Sequence, residues 1–366
     1  MEPYPRTWAE INFPAMAHNL SVIRQHIGPD VKIGLVCKAD GYGHGLVPVG
    51  RFAARNGADW LCVASVQEGV ALRDSGVECP IMVMSPTLPV EAGQAIFYNL
   101  DVFVESAEAI RNYQKTAQSQ DRIARLHLKV DTGLHRFGCS PEEASHLTSL
   151  INKLPNTELR GISQHFLNSS NNREKTEEQL QLFNQTIKHL DIPKETIIHA
   201  SNSAGAALYP DARRSLVRIG MHAYGIDPDN LYKGQLISVM RWFTRITSLR
   251  WIKPGETVSY NGTWKATQDS HIATLGVGYG DGYPRALSNK SQVFLKNEKA
   301  DVIGLVCMDQ MMINVTHFPQ IQLGDTVELL GENIIVPTLA KLAETNSHEI
   351  VTRLMTRVNR RYIYPA

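Results

Sequence analysis

The chain has 366 residues, 43% of them hydrophobic and 20% charged, with 37 basic residues set against 36 acidic ones. That length suits a large barrel plus a second domain, and those proportions exclude a disordered chain. A formal net charge of +1 supplies no field for DNA, RNA or an anionic membrane, so small-molecule chemistry is the default, with neither nucleic acid nor membrane as partner. The cysteines, Cys37, Cys62, Cys79, Cys139 and Cys307, are widely spaced and form no C-x-x-C pair. They read as cytosolic core thiols rather than a disulfide framework or a zinc site, and no metal is expected. The opening "MEPYPRTWAEINF" has no apolar h-region, and no uninterrupted apolar run reaches the ~18 residues that span a bilayer. The expected location is cytoplasmic.

In chain order, "TWAEINFPAMAHNLSVIRQHI" reads as a strand followed by a helix, the strand being free to pair with a later domain. Short apolar, β-rich runs then follow at "KIGLVC" (32–37), "WLCVAS" (60–65), "IMVMS" (81–85), "DVFVES" (101–106), "RLHLKV" (125–130), "LRGISQHF" (159–166), "TIIHAS" (196–201) and "LVRIG" (216–220). The segments between them, such as "REKTEEQLQLFNQTIKHL", carry apolar residues at helical spacing, which predicts a parallel (β/α)8 TIM-type barrel. After about residue 232 the pattern becomes strands joined by Gly, Asn and Pro turns, with one short helix near "PTLAKLAETN". The expected domains are a barrel over 1–232 and a smaller, mainly β domain over 233–366.

Catalytic groups of such barrels lie at the carboxyl ends of the strands. Lys38 follows the first barrel run, Lys129 and Arg136 lie at and after the fifth, His165 ends the sixth, Asn202 and Ser203 follow the seventh, and Arg218 and Gly220 end the eighth. Phosphates bind this fold after strands seven and eight, where Ser203 and the Gly220 and Met221 amides would converge on an anion. A buried lysine beside a phosphate site suggests a Schiff base with pyridoxal phosphate, because desolvation frees its amine for the aldehyde. Ordinary readings stand beside these. Lys38 could be a rim lysine in an ion pair, His165 a satisfied rim histidine, Arg218 a barrel cap, and Lys129 an ion-pair partner of Asp131. Tyr260 and Tyr279 could simply pack, and Asp309 reads as structural. "GYGHG" lacks both G-x-G-x-x-G and a P-loop lysine, so it is a poor nucleotide turn.

Seven segments in this order, "VCKADGYGHG", "LKVDTGLHRFG", "HASNSAGAAL", "VRIGMHAYG", "TVSYNGTW", "GYGDGYPR" and "CMDQMMINVT", together resemble the bacterial alanine racemases. The resemblance implies a pyridoxal 5'-phosphate enzyme that interconverts L-alanine and D-alanine for peptidoglycan, active as a homodimer whose C-terminal domain completes the partner's site. It implies Lys38 as the cofactor lysine and the base on one face, with Tyr260 of the partner subunit as the opposing base. It gives Arg218 to the pyridine nitrogen, and Tyr42, Ser203, Gly220 and Met221 to the phosphate. His165 would support Arg218 or Tyr260, while Arg136 and the Met308 amide would orient the substrate carboxylate. Lys129 is offered as a carbamylation site fixing Arg136, and Tyr279 as pocket lining. The chain departs from the family at Ser170, where many members are acidic, at Leu305 in place of arginine, and at Thr356 in place of tyrosine. These changes lead us to expect some racemisation of serine beside alanine. Two other readings are a non-catalytic pyridoxal phosphate-binding barrel, opposed by the second domain and Tyr260, and a barrel decarboxylase of basic amino acids, opposed by Arg218.

Overall fold

The computed structural model describes residues 5–365, so the outermost residues of the two expected domains lie outside it. Strand β1 (Thr7–Asn12) ends where the Asn12 side chain accepts the Ala15 N–H at 3.0 Å, capping the helix Phe13–Ile27 with Pro14 in its first turn. Eight parallel strands follow: β2 (Lys32–Val36), β3 (Trp60–Val63), β4 (Ile81–Val83), β5 (Asp101–Val104), β6 (Ala124–Lys129), β7 (Thr157–Ser163), β8 (Ile197–His199) and β9 (Leu216–Ile219). They run in the order β8-β7-β6-β5-β4-β3-β2-β9. Backbone bonds from Ser215 N–H to Ile198 O and from Arg218 N–H to Ser201 O, both 3.0 Å, join β8 to β9 and close the ring. Several of these strands are buried along their whole length because helices cover the outside, which is why they read as continuous apolar runs.

All eight expected runs are strands that end earlier than expected, while β6 and β7 also begin one and two residues before their runs. The second and fourth runs, 60–65 and 101–106, were too long for a local reason: Ser65 and Ser106 cap the helices Val66–Asp74 and Ala107–Ser119, so β3 and β5 stop short of them. Strand β7 stops at Ser163, leaving His165 two residues beyond the ladder.

The second sheet is built on β10 (Met240–Ile252). Past it come the short pair β11 (Thr257–Val258) and β12 (Trp264–Lys265), then β13 (Ser270–Leu275), β14 (Gln292–Leu295), β15 (Glu298–Ile303), β16 (Met311–Asn314), β17 (Thr326–Leu330) and β18 (Asn359–Ile363). Its order is β13-β16-β15-β14-β17-β10-β1-β18, and β13 also pairs with β10, so this sheet curls into a closed ring extended by β1 and β18. Strand β1 lies antiparallel to β10 and parallel to β18, which ties the N-terminal strand to the second domain. The expected short helix is Val336–Leu342, and a second, Ser347–Thr352, follows with Asn346 as its cap. Among the described residues, no helix is long and apolar enough to cross a membrane.

Candidate active site

Lys38 opens a short turn, Lys38–Tyr42, directly after β2. Ala39, Asp40, Gly41 and Tyr42 all have left-handed backbones, with φ of 53°, 55°, 61° and 54°. Such a conformation costs L-residues ~1–2 kcal/mol each, so three non-glycine members make an isolated turn unfavourable by roughly 3–6 kcal/mol. Contacts offset that cost. Glu68 Oε1 accepts the Ala39 N–H at 2.7 Å, Asp40 Oδ1 accepts the Leu46 N–H at 2.9 Å, and Gly43 N–H reaches Ala39 O at 3.0 Å. Burial, then the Arg136 charge, pushes the Lys38 amine below the ordinary lysine range, with Glu68 partly opposing.

Tyr42, at the end of the turn, stacks on Tyr224 with ring centroids 5.0 Å apart. A Cβ on Gly220 would lie 2.7 Å from the Tyr42 hydroxyl, so glycine is what lets the ring reach over the end of β9. Ser203 Oγ accepts the Gly220 N–H at 2.9 Å. Asn202 caps the helix Ser203–Leu208, accepting from Gly205 N–H at 2.9 Å and from Ser169 Oγ at 2.8 Å. The expected pair of free amides is therefore one: Gly220 N–H is already bonded, whereas Met221 N–H and the Tyr42 hydroxyl have no acceptor among the described residues.

Arg218 is buried and points from β9 across the barrel. Its Nη1 donates to His199 Nδ1 at 2.9 Å and His199 O at 2.8 Å, and its Nη2 to Gln164 O at 2.8 Å, Ala200 O at 3.1 Å and His165 Nδ1 at 3.2 Å. Every one of these acceptors is neutral, and among the described residues none takes the Nε proton. Burial pushes this guanidinium down to about 10, still protonated at neutral pH. Since Arg218 must donate, His199 Nδ1 must accept, and its proton sits on Nε2, 2.9 Å from His127 Nδ1. His127 Nε2 then donates to Asp101 at 3.1 Å. The chain Arg218–His199–His127–Asp101 is thus directional, and all of it is buried. It passes beneath β7 because Gly161 has no side chain there: a Cβ would stand 2.2 Å from His127 Nδ1. Burial and the Arg218 charge hold His165 and His199 well below the usual histidine range, so both are neutral.

Lys129 Nζ donates to Val130 O at 2.7 Å, and burial followed by the Arg218 charge pushes it down to about 8. The ion pair with Asp131 considered from sequence does not form; Asp131 instead accepts the Gly133, Leu134 and His135 amides. Arg136 is exposed, lies over Phe137, and makes no ion pair or hydrogen bond among the described residues. Lys38, Lys129, Arg136 and Arg218 therefore form a cationic cluster suited to bound anions.

The candidates from the second domain are exposed. Tyr260 is 70% exposed, in a loop between left-handed Ser259 and Asn261. Tyr279 and Met308 are also on the surface, and Met308 N–H has no acceptor among the described residues. Tyr279 N–H reaches Cys307 O at 3.0 Å and Gly280 N–H reaches Met308 O at 2.8 Å, so their two loops are laced together. Arg357 joins them to the segment bearing exposed Thr356, bonding Asp281 at 2.7 Å and Asp309 at 2.8 Å, which makes Asp309 an ion-pair partner.

Two family models cover the chain: alanine racemase, N-terminal domain, over residues 11–228, and alanine racemase, C-terminal domain, over residues 239–362. An alanine racemase of Halothermothrix orenii is 38% identical over 369 residues, spanning 97% of this chain and 96% of that protein. The solved alanine racemase of Clostridium difficile 630 superposes with a TM-score of 0.93 at 33% identity, covering 99% of this chain and 97% of its own. That from the D-cycloserine producer Streptomyces lavendulae gives a TM-score of 0.95 at 28% identity, covering 100% and 99%. The chain belongs to the alanine racemase family. Within that alanine racemase fold, Lys38, Tyr42, Lys129, Arg136, His165, Asn202, Ser203, Arg218, Gly220 and Met221 lie at and just after the carboxyl ends of the barrel strands, while Tyr260, Tyr279, Met308 and Thr356 are exposed on loops of the second domain. Sequence reasoning passed over His127, His199 and Asp101. The usable signal was a histidine in each of two barrel strands, with a lone glycine inside the strand between them.

Proposed function

We propose that this chain interconverts L- and D-alanine in the cytoplasm as a homodimer, with pyridoxal 5'-phosphate held at the mouth of the barrel. The residues there fit that cofactor on their own chemistry. The Tyr42 hydroxyl and the Met221 N–H, which have no partner among the described residues, would make a phosphate cradle with Ser203 at the end of β9, where Gly220 leaves room for the Tyr42 hydroxyl. Lys38 would be the covalent anchor, and the free Arg218 Nε proton would meet the pyridine nitrogen. Bound there, the cofactor supplies an electron-withdrawing ring that makes the substrate α-proton removable.

The single observation that carries the reading is the setting of Arg218. Even pushed down to about 10 by burial it stays a cation at neutral pH, so it would donate a hydrogen bond to a ring nitrogen without giving up the proton. That weakens the electron sink and favours return of the proton over transamination or decarboxylation. The proton must leave one face and return on the other, which requires two bases. Lys38, kept below its ordinary range, serves one face, and Tyr260 of the partner subunit serves the other. Because Arg218 occupies His165 Nδ1, the His165 proton lies on Nε2, where it would donate to the hydroxyl oxygen of a tyrosine presented by the partner. Arg136 and the Met308 N–H would take the substrate carboxylate. The Lys129 amine would attack carbon dioxide, forming an N–C bond and releasing one proton; the resulting carbamate anion would then pair with Arg136.

Tyr260→Phe should keep its cofactor and lose α-deuterium exchange from one enantiomer far more than from the other. An equal fall in both directions would overturn the assignment of one base to each face. Mixing Lys38→Ala with Tyr260→Phe subunits should restore some activity, because a mixed dimer contains one site with both bases. No recovery after verified subunit exchange would mean that each site is built within one chain.

A further inference from the structure

The left-handed turn after β2 is pressed against a part of the second domain that the reaction itself does not use. Arg360, on β18, donates from Nη2 to Asp40 Oδ2 and to Leu354 O, both at 3.0 Å, and from Nε to Gly43 O at 2.9 Å. Its side chain is only 11% exposed, and the Leu354 bond seats it on its own segment. The turn closes tightly on that surface. A Cβ on Gly43 would lie 2.1 Å from Val351 O, and one on Gly45 would lie 2.2 Å from the Tyr362 hydroxyl. Asp40 stands between Lys38 and Tyr42, and its second oxygen caps Leu46, so one carboxylate connects Arg360 to the whole turn. From the other side Glu68 holds only Ala39.

We infer that Arg360 is a positioning residue, which sets the placement of the Lys38 amine and the Tyr42 hydroxyl by bracing the turn between them through Asp40 and Gly43. Four left-handed residues have no intrinsic preference for that path, so the brace selects it. The second domain thus has two separate roles: it presents Tyr260 outward, and it fixes the lysine of its own chain. The inference rests on Lys38 being the cofactor lysine, a premise the test checks separately.

The test compares wild type with Arg360→Ala, Arg360→Lys, Asp40→Asn and the Arg360→Ala/Asp40→Asn double variant. Two quantities are read: the Kd for pyridoxal 5'-phosphate titrated into apoprotein, and the rate at which a small amine-reactive reagent labels Lys38, followed by peptide mapping. Arg360→Ala should raise Kd by about tenfold or more and change the labelling rate several-fold. Arg360→Lys should recover part of this, since a lysine can reach one acceptor but cannot reproduce the fork. The double variant should resemble the worse single one, because both changes break one contact. Unchanged Kd and labelling in Arg360→Ala, or fully additive effects in the double variant, would overturn the inference. If Arg360→Ala does not fold, Asp40→Asn decides alone: it preserves size and the oxygen that caps Leu46, so wild-type Kd and labelling in it would equally overturn the inference. Saturating cofactor should protect wild-type Lys38 from labelling; failure there would refute the function proposed for Lys38 and leave the brace to be judged by the labelling rates.

Discussion

Replacing Gly161 with alanine adds one methyl group, and the structure assigns it a large effect. The new Cβ would lie 2.2 Å from His127 Nδ1, 2.6 Å from Cε1 and 3.0 Å from Cγ. The His127 ring has little freedom to withdraw, being fully buried with Trp60, Phe103 and His199 around it at centroid distances of 5.7, 6.0 and 5.1 Å. Overpacking costs ~1–3 kcal/mol, and a buried group left without its partner at His199 adds ~1–3 kcal/mol, so the loss should be roughly 2–6 kcal/mol. Gly93→Ala is the matched control. It sits inside the helix Ala92–Phe97, its nearest neighbour is Gln120 Nε2 at 3.5 Å, and it should gain ~0.5–1 kcal/mol. Guanidinium unfolding of both variants, with hydrogen exchange of the β6 and β7 amides, measures the difference. Turnover should also fall in Gly161→Ala, because Arg218 loses the ordered imidazole it leans on. Equal shifts in the two variants, or a loss below ~0.5 kcal/mol at Gly161, would refute the crossing of the two histidines beneath β7.

Acid should destabilise the protein before its carboxylates titrate. His44 donates to Tyr42 O at 2.7 Å and is pushed down to about 4 by burial, so the unfolded chain binds its proton from about pH 6.5 downward and the folded chain only near 4. Stability is therefore full above about pH 6.5 and falls by about 3 kcal/mol for this group as the pH drops to 4. Urea titrations at several pH values check this, His44→Gln should flatten the slope, and a flat profile from pH 7 to 5 would contradict it. Thr356→Tyr should lower serine turnover relative to alanine by ~1 kcal/mol or about fivefold, and an unchanged efficiency ratio would mean Thr356 does not face the side chain. Labelled bicarbonate should give a carbamate NMR signal that Lys129→Ala abolishes; its absence in wild type would remove that modification.

The barrel was legible because its strands are buried on both faces and so appear as unbroken apolar runs, and because the fold confines polar chemistry to strand ends. Lys38, Ser203 and Arg218 stood out against that background. The chain from Arg218 to Asp101 did not, since His127 and His199 are 72 residues apart and meet only through a glycine in the intervening strand. Nor did the left-handed turn: "KADGYGHG" advertises glycines, but Ala39, Asp40 and Tyr42 adopt their backbones through tertiary contacts with Glu68 and Arg360. The Gly220 amide was misjudged for a similar reason. Its bond to Ser203 Oγ depends on how closely two consecutive strand ends approach, which no spacing along the chain reveals.

The pairing of β1 with both β10 and β18 sets an order of events during synthesis. Strand β1 leaves the ribosome early, yet both of its edges wait for strands made much later. The barrel closes on β2 and β9 without it, so a nascent chain can hold a finished barrel beside an open, hydrogen-bond-hungry strand. That interval ends only when β18 arrives, and β18 also brings Arg360 to the turn after β2. A chain ending before β18 would therefore lack both the parallel partner of β1 and the arginine that reaches Asp40.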